Sequence, residues 1–414
     1  AQILSSIGKH EKAEKILLNS ISEKMSERNV AEYLRLMRAT SQFDKAMEMV
    51  KRALLLKIKL TYSGHIMPIL FGQKKIEDGF KSFQTWDLID KLKLAFGKDK
   101  YRDDNDLENF TNILLLFTSG PSEEMRFSSM YEELYNKIGH NNFRMSCDYR
   151  LESLLKRSFP YINFIPTKRS RWLTPKYNLE LYDKLPSLEL CIAIDNSTLL
   201  DIEKSNQIKL TTDLLFHFRK EYKDFRNKKP HLIPDKERVN YFRDLLPKDK
   251  ILVGISWRSS LTDAVRNLHY LSVEDLAPLF NIPNIQFVNL QYDECSHELE
   301  YIEKTLGKKI INFPELDQMN DFDGVAGLIM NLDCVISPLT AVIELVGSLG
   351  IQGLLFSNHG ETHWRKIDKD NNDVWYDSVK IISSGKPGEK LPLVKSLVEE
   401  LQQRYPLESE NPSN

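Results

Sequence analysis

The chain has 414 residues, 41% of them hydrophobic and 28% charged, which is enough for about two or three domains with sizeable cores. Its net charge of -2 argues against a general nucleic-acid or membrane-surface role. No apolar run is long enough to span a bilayer.

The opening Ala1-Gln-Ile-Leu is not a signal peptide and reads as the cut end of a longer chain, which leaves room for a targeting segment ahead of it. Cys147, Cys191, Cys295 and Cys334 are scattered without metal-ligand or redox spacing. They predict reduced, structural thiols in a cytoplasmic protein.

Residues 1–90 carry an internal repeat. Gly8-Lys-His-Glu-Lys-Ala13 aligns with Ser41-Gln-Phe-Asp-Lys-Ala46 and Lys74-Lys-Ile-Glu-Asp-Gly79, at a step of 33 residues. The same step links Ile3, Leu36 and Ile69, then Leu4, Met37 and Leu70, then Ser6, Ala39 and Gly72. Small residues at fixed points let paired amphipathic helices cross closely, so the step predicts stacked helical hairpins rather than a plain bundle. Residues 91–109 are charged, have little apolar periodicity and read as a linker.

From residue 110 the pattern alternates. Strand-like runs at 113–117, 143–147, 162–165 and 190–194 are separated by helical stretches, which predicts a mainly parallel α/β domain over 110–235. A second such domain is expected over 236–385. Its strands are placed at 251–257, 285–290, 309–312, 334–336, 353–356 and 379–382, and its helices near 272–280, 298–306, 322–330 and 340–349. Residues 386–414 supply a closing amphipathic helix, 391–404, and a tail. Two such units in series are expected to set a cleft between the carboxyl ends of their sheets, where such sheets bind ligands.

The stretch Cys334-Val-Ile-Ser-Pro-Leu-Thr-Ala turns from strand to helix within four residues, with Ser337 and Thr340 at the bend. A helix start offers free N–H groups and a positive dipole end, which suits a phosphate. Hydroxyls there either bind such a group or serve as ordinary N-caps.

Val253-Gly-Ile-Ser-Trp-Arg258, Leu271-Ser-Val-Glu-Asp-Leu-Ala-Pro-Leu279, Phe287-Val-Asn-Leu-Gln-Tyr292, Asp321-Phe-Asp-Gly-Val-Ala326 and Leu332-Asp-Cys-Val-Ile-Ser337 follow in a fixed order. Together this run resembles the carboxyl-terminal half of bacterial tetratricopeptide-repeat glycosyltransferases. That family is related to O-linked N-acetylglucosamine transferases and, further off, to heptosyltransferases. Trp375-Tyr-Asp-Ser-Val379 looks like the family's terminal Trp-Tyr-Pro-Ser-Val element, and Asn142 to Pro166 is similar to its second strand, Arg-Leu helix and Ser-Phe-Pro segment. Thr118-Ser-Gly-Pro-Ser-Glu-Glu-Met125 stands in place of a Gln-Gly-Leu-Gly-Asp-Glu loop. The repeats in front also match, so the resemblance covers most of the chain. It implies a GT-B fold: two Rossmann-like domains facing a nucleotide-sugar cleft, preceded by an all-α repeat segment. The closing helix is then expected to pack back toward the first domain.

The resemblance also implies roles. Arg258 would clamp the leaving diphosphate, with Ser256 as companion donor. Gln291 would face the nucleotide, or else serve as a loop amide. Asp321 and Asp323 would lie near base and ribose, or be plain acidic residues at a helix start. Glu123 would be the general base, with Glu124 beside it pointing elsewhere; a raised pKa on such a pair suits a base, and ordinary dipole partnership is the alternative. Three departures stand out: Leu339 and Glu344 where the family has Asp and His, and Ser122 where it has Gly. His359 and His363 lack a third ligand, so no metal and no cofactor are expected. The basic stretch Lys168-Arg-Ser-Arg-Trp172 is either a solvated loop or a contact for an acidic acceptor.

The resulting expectation is a cytoplasmic glycosyltransferase that inverts a nucleotide-diphosphate sugar onto a hydroxyl of a protein acceptor recruited by the repeats, with no nucleic-acid partner. The alternative is a catalytically decayed binding or scaffold protein, motivated by Leu339, Glu344 and Ser122.

Overall fold

The amino-terminal segment is helical, and positions of the 33-residue step fall at equivalent places in its helices. The computed structural model describes residues 1–103, 107–139, 143–169, 181, 183–225, 229–260 and 266–406. Its first helices are α1 (Gln2–Ser6), α2 (His10–Glu23), α3 (Glu27–Ala39), α4 (Phe43–Leu55), α5 (Met67–Gly72) and α6 (Ile76–Lys81). Gly8, Ser41 and Lys74 stand at the turns α1–α2, α3–α4 and α5–α6, with φ of 75°, 59° and 62°. Ala13, Ala46 and Gly79 are each the fourth residue of their helix, and each is buried.

A Cβ on Gly72 would lie 2.1 Å from the Phe43 ring, which explains the small residue at that repeat position. Gly72→Ala is therefore expected to destabilise the protein by about 1–3 kcal/mol through overpacking, read as a lower urea midpoint. An unchanged midpoint would mean that the ring moves aside at no cost.

Contacts divide the chain into two units. One holds residues 26–34 and 43–233, the other residues 1–25, 35–42 and 234–414. In the first, β1 (Ile113–Leu116), β2 (Phe143–Asp148), β3 (Asn163–Thr167) and β4 (Gln207–Leu210) form a parallel sheet in the order β3-β2-β1-β4. It is accompanied by α7 (Asp87–Phe96), α8 (Pro121–Phe127), α9 (Tyr131–Ile138), α10 (Glu152–Ser158) and α11 (Asn196–Lys204). β1 is apolar and buried along its whole length, as a central parallel strand must be. The chain leaves β1 for β2 and β3 on one side and returns to β4 on the other. The topological switch point thus lies between β1 and β4.

Two expectations are corrected here. Residues 190–194 are not a strand; Leu188–Ile192 is a 3₁₀ turn whose Leu190 and Cys191 fill the core. The strand is Gln207–Leu210, disguised by a central lysine: Lys209 is buried, 3.4 Å from Asp213 and over the Tyr101 ring. The supposed linker is also tied down. Residues 91–96 finish α7, and the Tyr101 hydroxyl donates to Asp213 at 3.0 Å while accepting the Leu210 N–H at 3.3 Å.

In the other unit α12 (Lys236–Leu245) precedes β5 (Ile251–Ile255). Then follow α13 (Val273–Phe280), β6 (Ile285–Asn289), α14 (Ser296–Leu306), α15 (Phe322–Ile329), β7 (Cys334–Ser337), α16 (Ala341–Leu349), β8 (Gly353–Phe356), β9 (Val379–Ile382) and α17 (Leu391–Arg404). The sheet is parallel, in the order β6-β5-β7-β8-β9, so its switch point lies between β5 and β7. Residues 309–312 contribute only one bridge, Ile311 to Val288, and not a strand.

The closing helix is a further correction. It packs on its own sheet, with Leu393, Val394, Leu397 and Leu401 in one core with Val253, Ile255 and Leu354. That apolar stripe, with Lys380 paired to Glu400 at 2.6 Å, fixes the helix to the second sheet. The chain is thus mixed α/β with two parallel sheets and a helical amino-terminal segment. Among the described residues no helix is long and apolar enough to cross a membrane.

Candidate functional site

β5 runs into Ser256-Trp257-Arg258 at the switch point, and the shape of this segment is set by one amide. Gln291, just beyond β6, accepts at Oε1 from the Trp257 N–H (2.9 Å), the Arg258 N–H (3.1 Å) and the Ser256 hydroxyl (3.2 Å). Its Nε2 donates to the Arg258 carbonyl (3.0 Å) and to Asp293 (2.7 Å). The amide is buried and both N–H groups are used. Gln291 thus holds the segment after β5 that carries Arg258.

The Arg258 guanidinium is paired with Asp293 and Glu298 and donates to the Glu294 carbonyl at 3.2 Å. Its charge is balanced within the unit, so an incoming phosphate has to share it with two carboxylates. Asp321 takes the bland alternative. It caps α15, accepting the Gly324 N–H at 2.8 Å, and meets Arg238 at 3.2 Å. Asp323 sits in the first turn of the same helix.

On the other side of the switch point β7 ends at Ser337. The Ser337 hydroxyl donates to the Pro338 carbonyl at 2.9 Å and lies 3.1 Å from the Thr340 hydroxyl. Thr340 is the N-cap residue of α16, yet its side chain makes no capping bond. The first turn of α16 therefore lacks a capping bond from its own N-cap side chain. Leu339 is 37% exposed beside it.

Glu344 is turned away from this helix start. It is fully buried, bonded to Arg365 at 2.7 Å and accepting the Tyr376 hydroxyl at 2.8 Å. Arg365 also donates to Asp373 at 2.8 Å, and Asp373 accepts the Trp375 N–H at 2.7 Å. The glutamate thus anchors the Trp375-Tyr376 segment.

At the first sheet, α8 begins just after β1. Glu123 is 41% exposed, 3.9 Å from Arg126. Glu124 is fully enclosed, 2.5 Å from Arg169, and accepts the Asp148 N–H at 3.0 Å. Arg169 lies 3.4 Å from Asp148, which is itself clamped by Arg150 at 2.9 Å. Burial pushes the Glu124 carboxyl up to about 7 against the pull of Arg169. The raised pKa that sequence reasoning sought in this pair therefore belongs to Glu124. Nothing in the local sequence signals it, because Arg169 is 45 residues away. Residues 170–172 of the basic stretch lie outside the described residues; Arg169 is in the buried cluster and not solvated.

His359 accepts the Glu361 N–H at 3.3 Å, and His363 is 3.0 Å from the Ser41 hydroxyl. Among the described residues no three His, Cys, Asp or Glu side chains group as metal ligands.

This architecture defines a class: a chain with two doubly wound parallel sheets, each with polar residues at its switch point. No protein-family profile matches the sequence. Protein FlbA of Caulobacter vibrioides is 25% identical over 271 residues, which are 65% of this chain and 42% of that protein. The chain thus spans less than half the length of this curated relative. Among solved structures it is similar to the glycosyl transferase family 9 protein from Veillonella parvula (TM-score 0.44, 10% identity, 70% of this chain and 90% of that one). It is also similar to the E. coli ADP-heptose lps heptosyltransferase II (TM-score 0.45, 14% identity, 71% and 98%). A third is E. coli heptosyltransferase WaaC with ADP-2-deoxy-2-fluoro heptose (TM-score 0.40, 12% identity, 70% and 99%). Likenesses below a TM-score of 0.5 leave the site to be argued from its own residues.

Proposed function

We propose that the chain is a nucleotide-sugar-dependent glycosyltransferase of GT-B type that moves a sugar to a hydroxyl of a protein acceptor. The observation that carries this reading is the switch point of the second sheet. It sets the segment that carries Arg258 beside β7, whose end leads into the first turn of α16, left without a bond from its N-cap Thr340 side chain. A guanidinium and a helix start are the groups that stabilise a leaving diphosphate. Gln291 and Ser256 position Arg258. Asp321 and Asp323 are assigned no more than the start of α15. In the first unit Glu123 is the base, because it is accessible whereas Glu124 is enclosed. Single displacement then inverts the sugar carbon. The hairpins, read as tetratricopeptide-like repeats, recruit the acceptor along a helical face.

Calorimetry with UDP-, GDP-, ADP- and CMP-sugars tests the reading. Arg258→Ala is expected to weaken donor binding by about 1.5–3 kcal/mol, the worth of a charged hydrogen bond. An unchanged affinity removes Arg258 from the site. Glu123→Gln is expected to slow transfer about 10²–10⁴-fold with donor affinity kept. A second reading, a repeat-bearing binding protein, is favoured by Glu344, which stands in place of the family's His and is committed to Arg365, so that position offers a diphosphate no donor. Donor binding without transfer to any acceptor would support it.

A further inference from the structure

A cavity of about 630 Å³ lies elsewhere in the second-sheet unit, between the start of α2, the end of α3 and the loops after β8 and β9. Its volume is that of a small-molecule site. Its walls are built and tied. His10 Nε2 donates to the Pro387 carbonyl at 2.9 Å, and His363 Nδ1 meets the Ser41 hydroxyl at 3.0 Å. Asn358 donates to the carbonyls of Ser384 (2.6 Å) and Glu389 (2.9 Å) and accepts the Ser384 N–H (2.7 Å). Behind them Arg38 pairs with Glu361 at 2.9 Å. Gly360 is required there, since its Cβ would stand 2.3 Å from the Arg38 carbonyl.

These walls leave groups over. His10 Nδ1 and His363 Nε2 are buried atoms with no hydrogen-bond partner among the described residues. A carbonyl only accepts, so neutral His10 carries its proton on Nε2 and presents Nδ1 as an acceptor. Burial, with Lys366 adding to it, pushes His363 down to about 4, so it is neutral at pH 7. With Ser41 donating to Nδ1, its Nε2–H is a donor without an acceptor. The side chains of Lys9, Lys12 and Lys386 line the same cavity. Glu11 also lines it, and the Glu389 carboxylate behind the loop accepts the Lys386 N–H at 2.9 Å. The first turn of the 14-residue α2 opens here with no side-chain cap.

The geometry points to a binding site for a small phosphorylated, hydroxyl-bearing molecule, a sugar phosphate in chemical class. The lysines and the helix start take the phosphate, with the His363 N–H as a further donor. His10 Nδ1 accepts a ligand hydroxyl. The cavity shares no residue with the proposed donor site, and the inference stands apart from the glycosyltransferase reading.

The test is calorimetric titration of the whole chain with inorganic phosphate, glucose phosphate and glucose, at low ionic strength because screening weakens such contacts. Phosphate and glucose phosphate are expected to bind one site, glucose phosphate more tightly, and glucose not at all. The double variant Lys12→Ala/Lys386→Ala should lose at least about tenfold in affinity, whereas Arg258→Ala should leave it unchanged. Both lysines are exposed, so an unchanged melting temperature will verify that the double variant is folded. Absence of binding by either phosphate compound, full affinity in the folded double variant, or loss of binding on Arg258→Ala overturns the proposal.

Discussion

Arg365→Ala is expected to destabilise the second-sheet unit by about 3–5 kcal/mol, the usual cost of removing one partner from a buried ion pair. The guanidinium is 1% exposed and bridges Glu344 and Asp373, both wholly enclosed. Taking it away leaves two carboxylates facing each other without a counter-charge. Burial already pushes the Asp373 carboxyl up even with Arg365 beside it. Lysine will not rescue the variant, because one ammonium cannot reproduce the fork that reaches both carboxylates. Urea denaturation gives the answer, and a loss below about 1 kcal/mol would mean that the network contributes nothing net. Glu344→Gln should cost less, since the amide oxygen can still accept from Arg365 while the amide NH2 donates to the Tyr376 hydroxyl oxygen. Its effect should appear in stability and not in donor affinity, because the side chain points into this network.

The second large effect concerns pH. Glu124 has a folded-state pKa of about 7 against an ordinary value of 4.5. Its folded pKa is raised, so its favourable contribution is complete below pH 4.5 and is lost as pH rises through 7. Over that window the loss is about 3 kcal/mol. The partners it faces are Arg169 and Asp148. Asp148 is held below the ordinary carboxylate range, because Arg150 and Arg169 outweigh the burial that opposes them; it therefore titrates below the window. Enclosed His231 has a lowered pKa from burial and gives the opposite slope near its ordinary value of 6.5, so the wild-type curve alone is ambiguous. The difference between wild type and Glu124→Gln isolates the carboxyl. The variant is expected to gain on the wild type by about 3 kcal/mol as pH rises from 4.5 to 7, in chemical denaturation at a series of pH values. A difference that stays constant with pH would show that Glu124 titrates normally.

How much of this was legible in advance depends on how far each interaction reaches along the chain. The 33-residue step was visible because turn and helix start lie within one repeat, and the turns Gly8, Ser41 and Lys74 keep it in their φ values. Strands β1, β7, β8 and β9 and the helix Leu391–Arg404 were legible from apolar runs and spacing, which are local signals of burial. β4 was not, because its Lys209 is solved by Asp213 and Tyr101, the latter more than a hundred residues away. Arg258 was visible as a cation at a strand end, but its carboxylate partners, Asp293 and Glu298, were not. The same holds for the choice between Glu123 and Glu124, adjacent residues of one type, which Arg169 and the Asp148 amide separate. Glu344 stood out only as a departure from the family's His, and its partner Arg365 lies 21 residues on. The sequence by itself therefore determined the 33-residue step, the α/β order and most of the strands, since these follow from local apolar patterning. Only the tertiary structure decided which charges are neutralised, which carboxyl is enclosed and where the closing helix lies. Desolvation and ion pairing depend on groups brought together across the fold, and no local pattern encodes them.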